Sequence, residues 1–373
     1  VIIGCPKEIK AQEHRVGLVP SSVKEFVTHG HKVIVETGAG AGINFSDDAY
    51  KAAGAEIRAT AKEIFDEADM IIKVKEPQAQ ECKMLRENQV LFTYLHLAAD
   101  PSQAKALMSS GCVGIAYETV TGPNGRGLPL LAPMSEVAGR LSVLVGAYNL
   151  QKHAGGTGRL ICGVPGVLPA KVLVIGGGVA GFNAARVAVG MGANVTILDK
   201  DHDRLRFLDD YFRGSANVVY SSADFIEKEV KVSDMVIGAV LIPGASAPTL
   251  VKKSMLSTMM RGSVIVDIAI DQGGCFETSK PTTHNDPTYV VDNVVHYCVA
   301  NMPGAVPLSS ALALNHAVLP YALKLADKGW KQALLADPNL RAGLNICKGE
   351  ITHQGVAQSL DLPFNPAPKD LAA

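Results

Sequence analysis

Large rings are scarce in this chain: Phe, Tyr and Trp make up 5% of its 373 residues, with one Trp. With 36 glycines and abundant aliphatics, that balance suits parallel sheets with Gly-rich turns better than a β-sandwich or a carbohydrate groove. Neither sign of charge dominates. Lys and Arg total 35 and Asp and Glu 36, a formal net charge of -1. No basic excess points to nucleic acid, and no acidic tail is present. Seven cysteines, an odd number without a CxxC spacing, argue against a zinc finger, a thioredoxin-type motif or a secreted disulfide framework. Most are expected as small, reduced core residues. No metal-ligand cluster stands out, and no metal is expected. No uncharged apolar run reaches the roughly 20 residues of a membrane helix, and the densest stretch, Val172–Ala185, is broken by four glycines. The chain opens on a strand-like VIIG without a basic-then-apolar leader, so we expect a reduced, cytoplasmic protein without a membrane span.

Hydrophobic residues make up 47% and charged residues 19%, enough to bury two cores, and the length is that of two domains. The first part alternates strand candidates with amphipathic segments. The strands are Val1–Ile3, Lys32–Val35, Asp69–Val74, Val90–Thr93 and Gly114–Tyr117, and the helices include Ser21–His29 and Ser102–Ser109. This is the pattern of βαβ units and a parallel sheet. The Gly/Pro-rich loop Thr121–Pro129 marks a boundary. Val137, Leu141, Leu144, Val145 and Tyr148 fall at helical spacing and predict a helix within Pro133–His153. From Lys171 a second unit starts, with strands at 171–175, 194–198, 217–220, 234–238, 263–267 and 289–291 and helices at 179–191 and near 202–211. A long apolar helix is expected over Ser309–Leu325. The stretch 309–360 contains no convincing strand and is expected to pack back onto the first domain. The expectation is therefore α/β: two doubly wound domains with parallel sheets, a discontinuous one (1–129 plus 309–373) and a Rossmann dinucleotide-binding domain (130–308), with a cleft between them.

The strongest local signal is KVLVIGGGVAGFNAA at 171–185. Gly176, Gly178 and Gly181 form GxGxxG, with Val179 and Ala180 inside it, after an apolar strand and at the opening of a helix. In that context the first glycine allows a tight turn, the second lets backbone amides approach a pyrophosphate, and the third lets helix and strand pack closely. The next strand ends in Asp199, whose carboxylate suits ribose hydroxyls and repels a 2′-phosphate, favouring NAD over NADP. Lys200 and Arg204 nearby weaken that preference, and FAD shares the fingerprint. Ser221 and Ala239–Leu241 follow two further parallel strands, where open α/β sheets bind ligands; plain connecting loops read the same way.

Several polar residues interrupt apolar runs: Arg15, Lys73 and Lys75, His96, Asp267 and Asp271, and Asn301. Period 2 puts Lys73 and Lys75 on one strand face. Singly, each has a bland reading as a rim charge, a core histidine or a turn cap. Together they match the needs of a nicotinamide enzyme acting on a small acid. Arg binds a carboxylate bidentately, Lys polarises a carbonyl, and an imidazole, with a reference pKa of about 6.5, exchanges protons near neutrality. A small-molecule site is expected where the two domains face each other.

These residues sit in longer motifs: GCPKEIKAQEHRVGLVP (4–20), KVKEP (73–77), TYLHLAAD (93–100), APMSEVAGR (132–140), VIGGGVAGFNAA (174–185), VDIAIDQGGCFE (266–277), PTTH (281–284) and YCVANMPGAVP (297–307). In order and spacing the whole chain resembles the alanine dehydrogenases of the family shared with the NAD(H)-binding subunit of nicotinamide nucleotide transhydrogenase. Gln12 and Gly17 depart from the opening motif and flank Arg15 without replacing it. The resemblance implies NAD-dependent oxidative deamination of L-alanine to pyruvate and ammonium, the reverse amination, and a homohexamer. It further implies that Arg15 and Lys75 bind the substrate carboxylate and carbonyl, that His96 is the general acid/base and that Asp271 is a second catalytic residue. Ser135, Asp199, Arg204, Ser221 and Lys280 would contact NAD. Val240 and Leu241, Ile268, Ala269 and Ile270, and Val299, Ala300 and Met302 would line the cofactor site, with Asn301 also near substrate. The rivals are a transhydrogenase-type subunit docking on a membrane partner, a silent NAD-binding regulator, and a lysine- or saccharopine-type dehydrogenase.

Overall fold

The structure is a computed structural model describing residues 1–240, 247–366 and 371. It divides into two compact units, Val1–Met134 with Val306–Ala373, and Ser135–Ala305. Breaks were expected after 129 and 308. The units instead part after Met134, near the start of the helix Ala132–Asn149, and after Ala305.

In chain order the strands are β1 (Ile2–Cys5), β2 (Lys32–Glu36), β3 (Glu56–Arg58), β4 (Met70–Ile72), β5 (Val90–Thr93), β6 (Val113–Ala116), β7 (Lys171–Ile175), β8 (Asn194–Asp199), β9 (Asn217–Tyr220), β10 (Met235–Gly238), β11 (Val264–Asp267), β12 (Thr288–Val291), β13 (Val294–Tyr297), β14 (Leu344–Cys347) and β15 (Glu350–Ile351).

The first unit's sheet has the order β15-β14-β6-β5-β4-β1-β2-β3, parallel from β6 to β3. Its central strands β4, β5 and β6 are buried along their whole length, as strands covered on both faces must be. Crossover helices begin and end where local chemistry allows. Pro101–Ser110 starts on Asp100, whose carboxylate accepts the amides of Ser102 and Gln103, and it stops at left-handed Gly111. The chain runs β1, β2, β3 outward, then returns to β4 on the other side of β1. Strand order thus reverses between β1 and β4.

The stretch 309–360 does contain strand, contrary to expectation. After the helix Pro307–Lys328, β14 pairs antiparallel with β6, and β15 with β14. The segment LNIC is four residues long and carries a polar residue, so it gives no periodic signal. Its Asn345 is buried, donating to Thr119 Oγ1 and Gly343 O, while Ile346 joins Ile71, Leu91, Leu95 and Leu107 in the core.

The second unit's sheet has the order β12-β13-β11-β10-β7-β8-β9, reversing between β7 and β10. It is parallel except for the edge hairpin β12/β13. Sequence reading found only the first arm of that hairpin. The second arm turns on Asp292-Asn293, both at positive φ, the two-residue turn that suits strand twist. Six of the seven cysteines are buried and Cys162 is exposed; all are free thiols. Burial pushes the Cys5 thiol up to about 12. Among the described residues no helix is long and apolar enough to cross a membrane.

Since Ile346 is fully buried in the first unit's core, Ile346→Ala is expected to cost about 2–5 kcal/mol, read as a lowered urea midpoint. An unchanged midpoint would show that β14 contributes nothing to that core.

Candidate functional site

In the first unit, the strand-order reversal puts the chain leaving β1 beside the chain leaving β4, where parallel sheets open a crevice. Arg15 lies on the β1 side and is buried at 2% exposure. Its Nε and Nη2 donate to Glu13 Oε1 and Oε2 at 2.7 and 2.6 Å, and its Nη1 donates to Met134 Sδ at 3.1 Å. Glu13 thus fixes the plane of the guanidinium, and the pair keeps Arg15 charged despite burial.

Lys73 and Lys75 do not share a strand face as the alternation predicted. β4 ends at Ile72 and the chain bends. Lys73 is fully buried, its Nζ 3.1 Å from Glu8 Oε2 and 2.7 Å from Glu81 Oε1. Burial works against its charge, and Glu8 and Glu81 outweigh burial, holding the ammonium protonated. Lys75 stays partly exposed, 3.6 Å from Glu76 Oε2. The bend is pinned by Glu8 Oε1, which accepts the amides of Val74 (2.7 Å) and Lys75 (3.3 Å).

His96 follows β5. It is not a core histidine: its side chain is 46% exposed, and its ring stacks on Tyr94 at 5.7 Å and 7°. The residue has φ 50 and ψ 37, left-handed backbone that few residues other than glycine adopt, His being among the types that tolerate it better. Glu118, at the end of β6, holds that conformation by accepting the His96 amide at 2.6 Å and the Leu95 amide at 3.2 Å; the same carboxylate lies 3.9 Å from His96 Nδ1. Burial keeps the Tyr94 phenol protonated, and it donates to Leu130 O at 2.5 Å. The buried histidine that the bland reading describes is His296, held by Thr278 and Val294 O.

In the second unit, Gly176 turns the chain at φ +100, and Gly181 packs so close that an added Cβ would lie 1.7 Å from Gly176 O. A Cβ at Gly178 would meet nothing within 4 Å, so the space over that amide is open. The helix Val179–Gly190 starts there with its N-terminus towards the loop. Asp199 Oδ2 accepts the Gly177 amide at 2.7 Å and Oδ1 the Asp201 amide at 2.9 Å. Arg204 Nε donates to Gly177 O, Nη2 lies 3.3 Å from Gly178 O, and the guanidinium stacks on Phe207 at 4.5 Å. The loop's own carbonyls thus engage Arg204. An open glycine cradle at a helix N-terminus beside a carboxylate fits a dinucleotide with a free ribose 2′-hydroxyl.

Around this loop, Ser221 is buried, its amide on Asp199 O. Ser135 and Val240 are half-buried, and Leu241 lies outside the described residues. Asp267, ending β11, is buried and accepts Ala269 N, Cys275 N and Ser279 Oγ, tying both ends of the loop that carries Ile268–Ile270 and exposed Asp271. Burial raises its carboxyl and those donors oppose the rise. Val299 and Met302 are buried, whereas Ala300 and left-handed Asn301 reach the surface. His284 Nε2 contacts Asn301 O at 3.1 Å. Lys280 is exposed over the Tyr289 ring at 4.4 Å. Among the described residues no cluster of His, Cys, Asp and Glu is arranged to hold a metal ion.

Sequence reasoning missed Glu8, Glu13, Glu118 and Tyr94. Glu118 had a signal, an acidic residue just past a buried parallel strand. Glu13 had one too, two residues before Arg15.

Two family models cover nearly the whole chain: "Alanine dehydrogenase/PNT, N-terminal domain" matches residues 4–138 and "Alanine dehydrogenase/PNT, C-terminal domain" residues 142–354. The chain is 58% identical over 362 residues to an alanine dehydrogenase of Halomonas elongata, covering 97% of each. It is 54% identical over 372 residues to one of Methanococcus maripaludis, covering 100% of each. A solved L-alanine dehydrogenase superposes with TM-score 0.93 at 51% identity, over 97% of this chain and 99% of that one.

Because the space above Gly178 is open, Gly178→Ala is expected to fold normally and to weaken NADH binding at least about tenfold, the methyl standing where the pyrophosphate approaches. NADH fluorescence titration reads this, and an unchanged Kd would remove the loop from the cofactor site.

Proposed function

The chain belongs to the alanine dehydrogenase/PNT family, and on that premise we propose that it catalyses the NAD-dependent oxidative deamination of L-alanine to pyruvate and ammonium, and the reverse amination. The observation that carries this is the end-to-end match at 54–58% identity to alanine dehydrogenases. The glycine cradle with Asp199 supports NAD as the cofactor. When bound, NAD accepts the hydride from the substrate Cα.

The first unit supplies the groups that hold and hydrolyse the substrate. Arg15, oriented by Glu13, binds the carboxylate as a planar fork. Lys75 donates to the substrate carbonyl oxygen and stabilises the charge that develops there. Loss of hydride leaves an iminium carbon. His96 removes a proton from the attacking water as its oxygen bonds to that carbon, giving a carbinolamine. The proton then returns to nitrogen, the carbon–nitrogen bond breaks, the hydroxyl proton is lost, and pyruvate and ammonium leave. The exposure of His96 and its stacking on Tyr94 support this role: the ring reaches solvent and is held flat.

To Asp271 we assign orienting the amine or relaying its proton, and to Asn301 a contact with the substrate. NAD is held by Gly176, Gly178–Gly181, Asp199, Arg204, Ser135, Ser221, Lys280 and the segments around Val240, Ile268–Ile270 and Val299–Met302. The chain works as a cytoplasmic homohexamer without a nucleic-acid or membrane partner. Free thiols support a reducing compartment. Exposed Leu160, Val164, Val167, Leu168 and Met260, all in the second unit, support self-association.

NADH formation from a panel of L-amino acids tests the reading. Alanine is expected to lead the panel, without membranes present; preference for lysine or saccharopine, or no turnover with NAD bound, would overturn it. His96→Ala is expected to lose about 10²–10⁴-fold in turnover while NADH affinity stays within about twofold; near-full activity would remove His96 from the chemistry. Val167→Glu with Leu168→Glu is expected to lower the solution mass measured by light scattering, and an unaltered mass would exclude that apolar strip from the interface.

A further inference from the structure

We propose that Glu8 is a positioning residue for substrate binding: with Lys73 and Glu81 it forms a buried clamp that fixes the turn presenting Lys75. The proposal rests on the alanine dehydrogenase reading, in which Lys75 meets the substrate carbonyl.

Glu8 leaves the end of β1 and reaches across the strand-order reversal to the chain leaving β4. One of its oxygens accepts two successive main-chain amides, those of Val74 and Lys75. The other faces the ammonium of Lys73 at 3.1 Å. That ammonium also lies 2.7 Å from Glu81 Oε1, and Glu81 Oε2 accepts the amide of Gln78 at 2.7 Å. The clamp therefore grips the segment 73–78 at both ends through one buried cation. From the opposite side, Thr93 Oγ1 donates to Lys75 O at 3.0 Å and the Tyr94 amide to Val74 O at 3.3 Å. Both main-chain polar groups of Lys75 are thus held by side chains, Glu8 on one side and Thr93 on the other. Main-chain bonding to β5 continues past Ile72 through the Lys73 amide on Phe92 O and the Tyr94 amide on Val74 O, and it gives way to side chains at Lys75.

A buried ion cluster is weak evidence for stability, because well-packed apolar side chains of similar volume often serve a core as well or better. What such a cluster supplies is direction. Its partners are fixed in distance and angle, and the two amides bound to Glu8 set where the Lys75 side chain starts. Misplacing a substrate-holding group by about 1 Å costs up to ~10²-fold in rate. Glu8 acts through Lys75 and not by contact with substrate or cofactor.

The test uses full-length Glu8→Gln, which keeps shape and one acceptor oxygen but turns an amide towards Lys73, and Glu81→Gln, which loosens the other arm. For Glu8→Gln we expect KM for pyruvate and for alanine to rise about tenfold. NADH affinity by fluorescence should stay within about twofold, and amide hydrogen exchange at Val74 and Lys75 should quicken. Glu81→Gln is expected to shift KM in the same direction by less. Unchanged KM with a lowered melting temperature would overturn the proposal, because the clamp would then be structural only. An equal loss of NADH and pyruvate affinity would also overturn it, as would failure of both variants to fold. Absence of alanine-dependent NADH formation by the unaltered chain is a different result: it overturns the reading on which Lys75 stands.

Discussion

Parallel strands deliver their C-terminal ends to one edge of a sheet, and where strand order reverses, neighbouring crossovers leave in opposite directions and open a crevice. That constraint acts once in each unit, between β1 and β4 and between β7 and β10. In the first unit it brings Glu8, far upstream in sequence, onto Lys73 and the amides of Val74 and Lys75. In the second it brings the glycine turn beside Ala239 and Val240, so that an added Cβ at Gly176 would lie 2.8 Å from Ala239 O. The residues proposed for the chemistry lie on loops at strand ends, and the strands behind them are largely buried.

A second regularity is how those loops are held. Glu8, Glu118, Asp199 and Asp267 each accept backbone amides at the end of a strand, and Glu13 accepts the Arg15 amide together with its guanidinium. An ionised carboxylate has about four acceptor positions, so one side chain replaces a ladder that has run out and still pairs a cation. The arrangement is sensitive: losing the carboxylate leaves amides without partners, which costs about 1–3 kcal/mol for each buried group.

These features were legible to different degrees. The glycine fingerprint was readable because its meaning is local: a strand, a turn that only glycine makes, and a helix. The long helices and most parallel strands were readable from period and composition. Lys73 was misread because alternation assumes that the strand continues, whereas β4 stops at Ile72 and an isolated buried ammonium has to find carboxylates. β14 was missed because its pairing with β6 is long-range and its buried Asn345 is satisfied by Thr119 rather than by anything nearby in sequence other than Gly343. β13 carried a usable signal, the Asp292-Asn293 turn, which periodicity alone passes over.

His96 and Asn301 show the limit of local reading most directly. Both occupy left-handed backbone, at φ 50 and φ 64, a region that few residues with a Cβ adopt and that Asn and His tolerate better than most. Nothing in LFTYLHLAAD or YCVANMPG demands that geometry; an extended continuation suits the flanking residues better. It persists because Glu118, a β-strand away, holds the amide of His96, and because His284 contacts the carbonyl of Asn301. Strain kept in place by long-range partners is a property of the assembled unit, so it is invisible to periodicity and motif alike. It falls on His96 and Asn301, the two residues for which we propose proton transfer and a place near the substrate, and departures from locally preferred backbone gather at such sites.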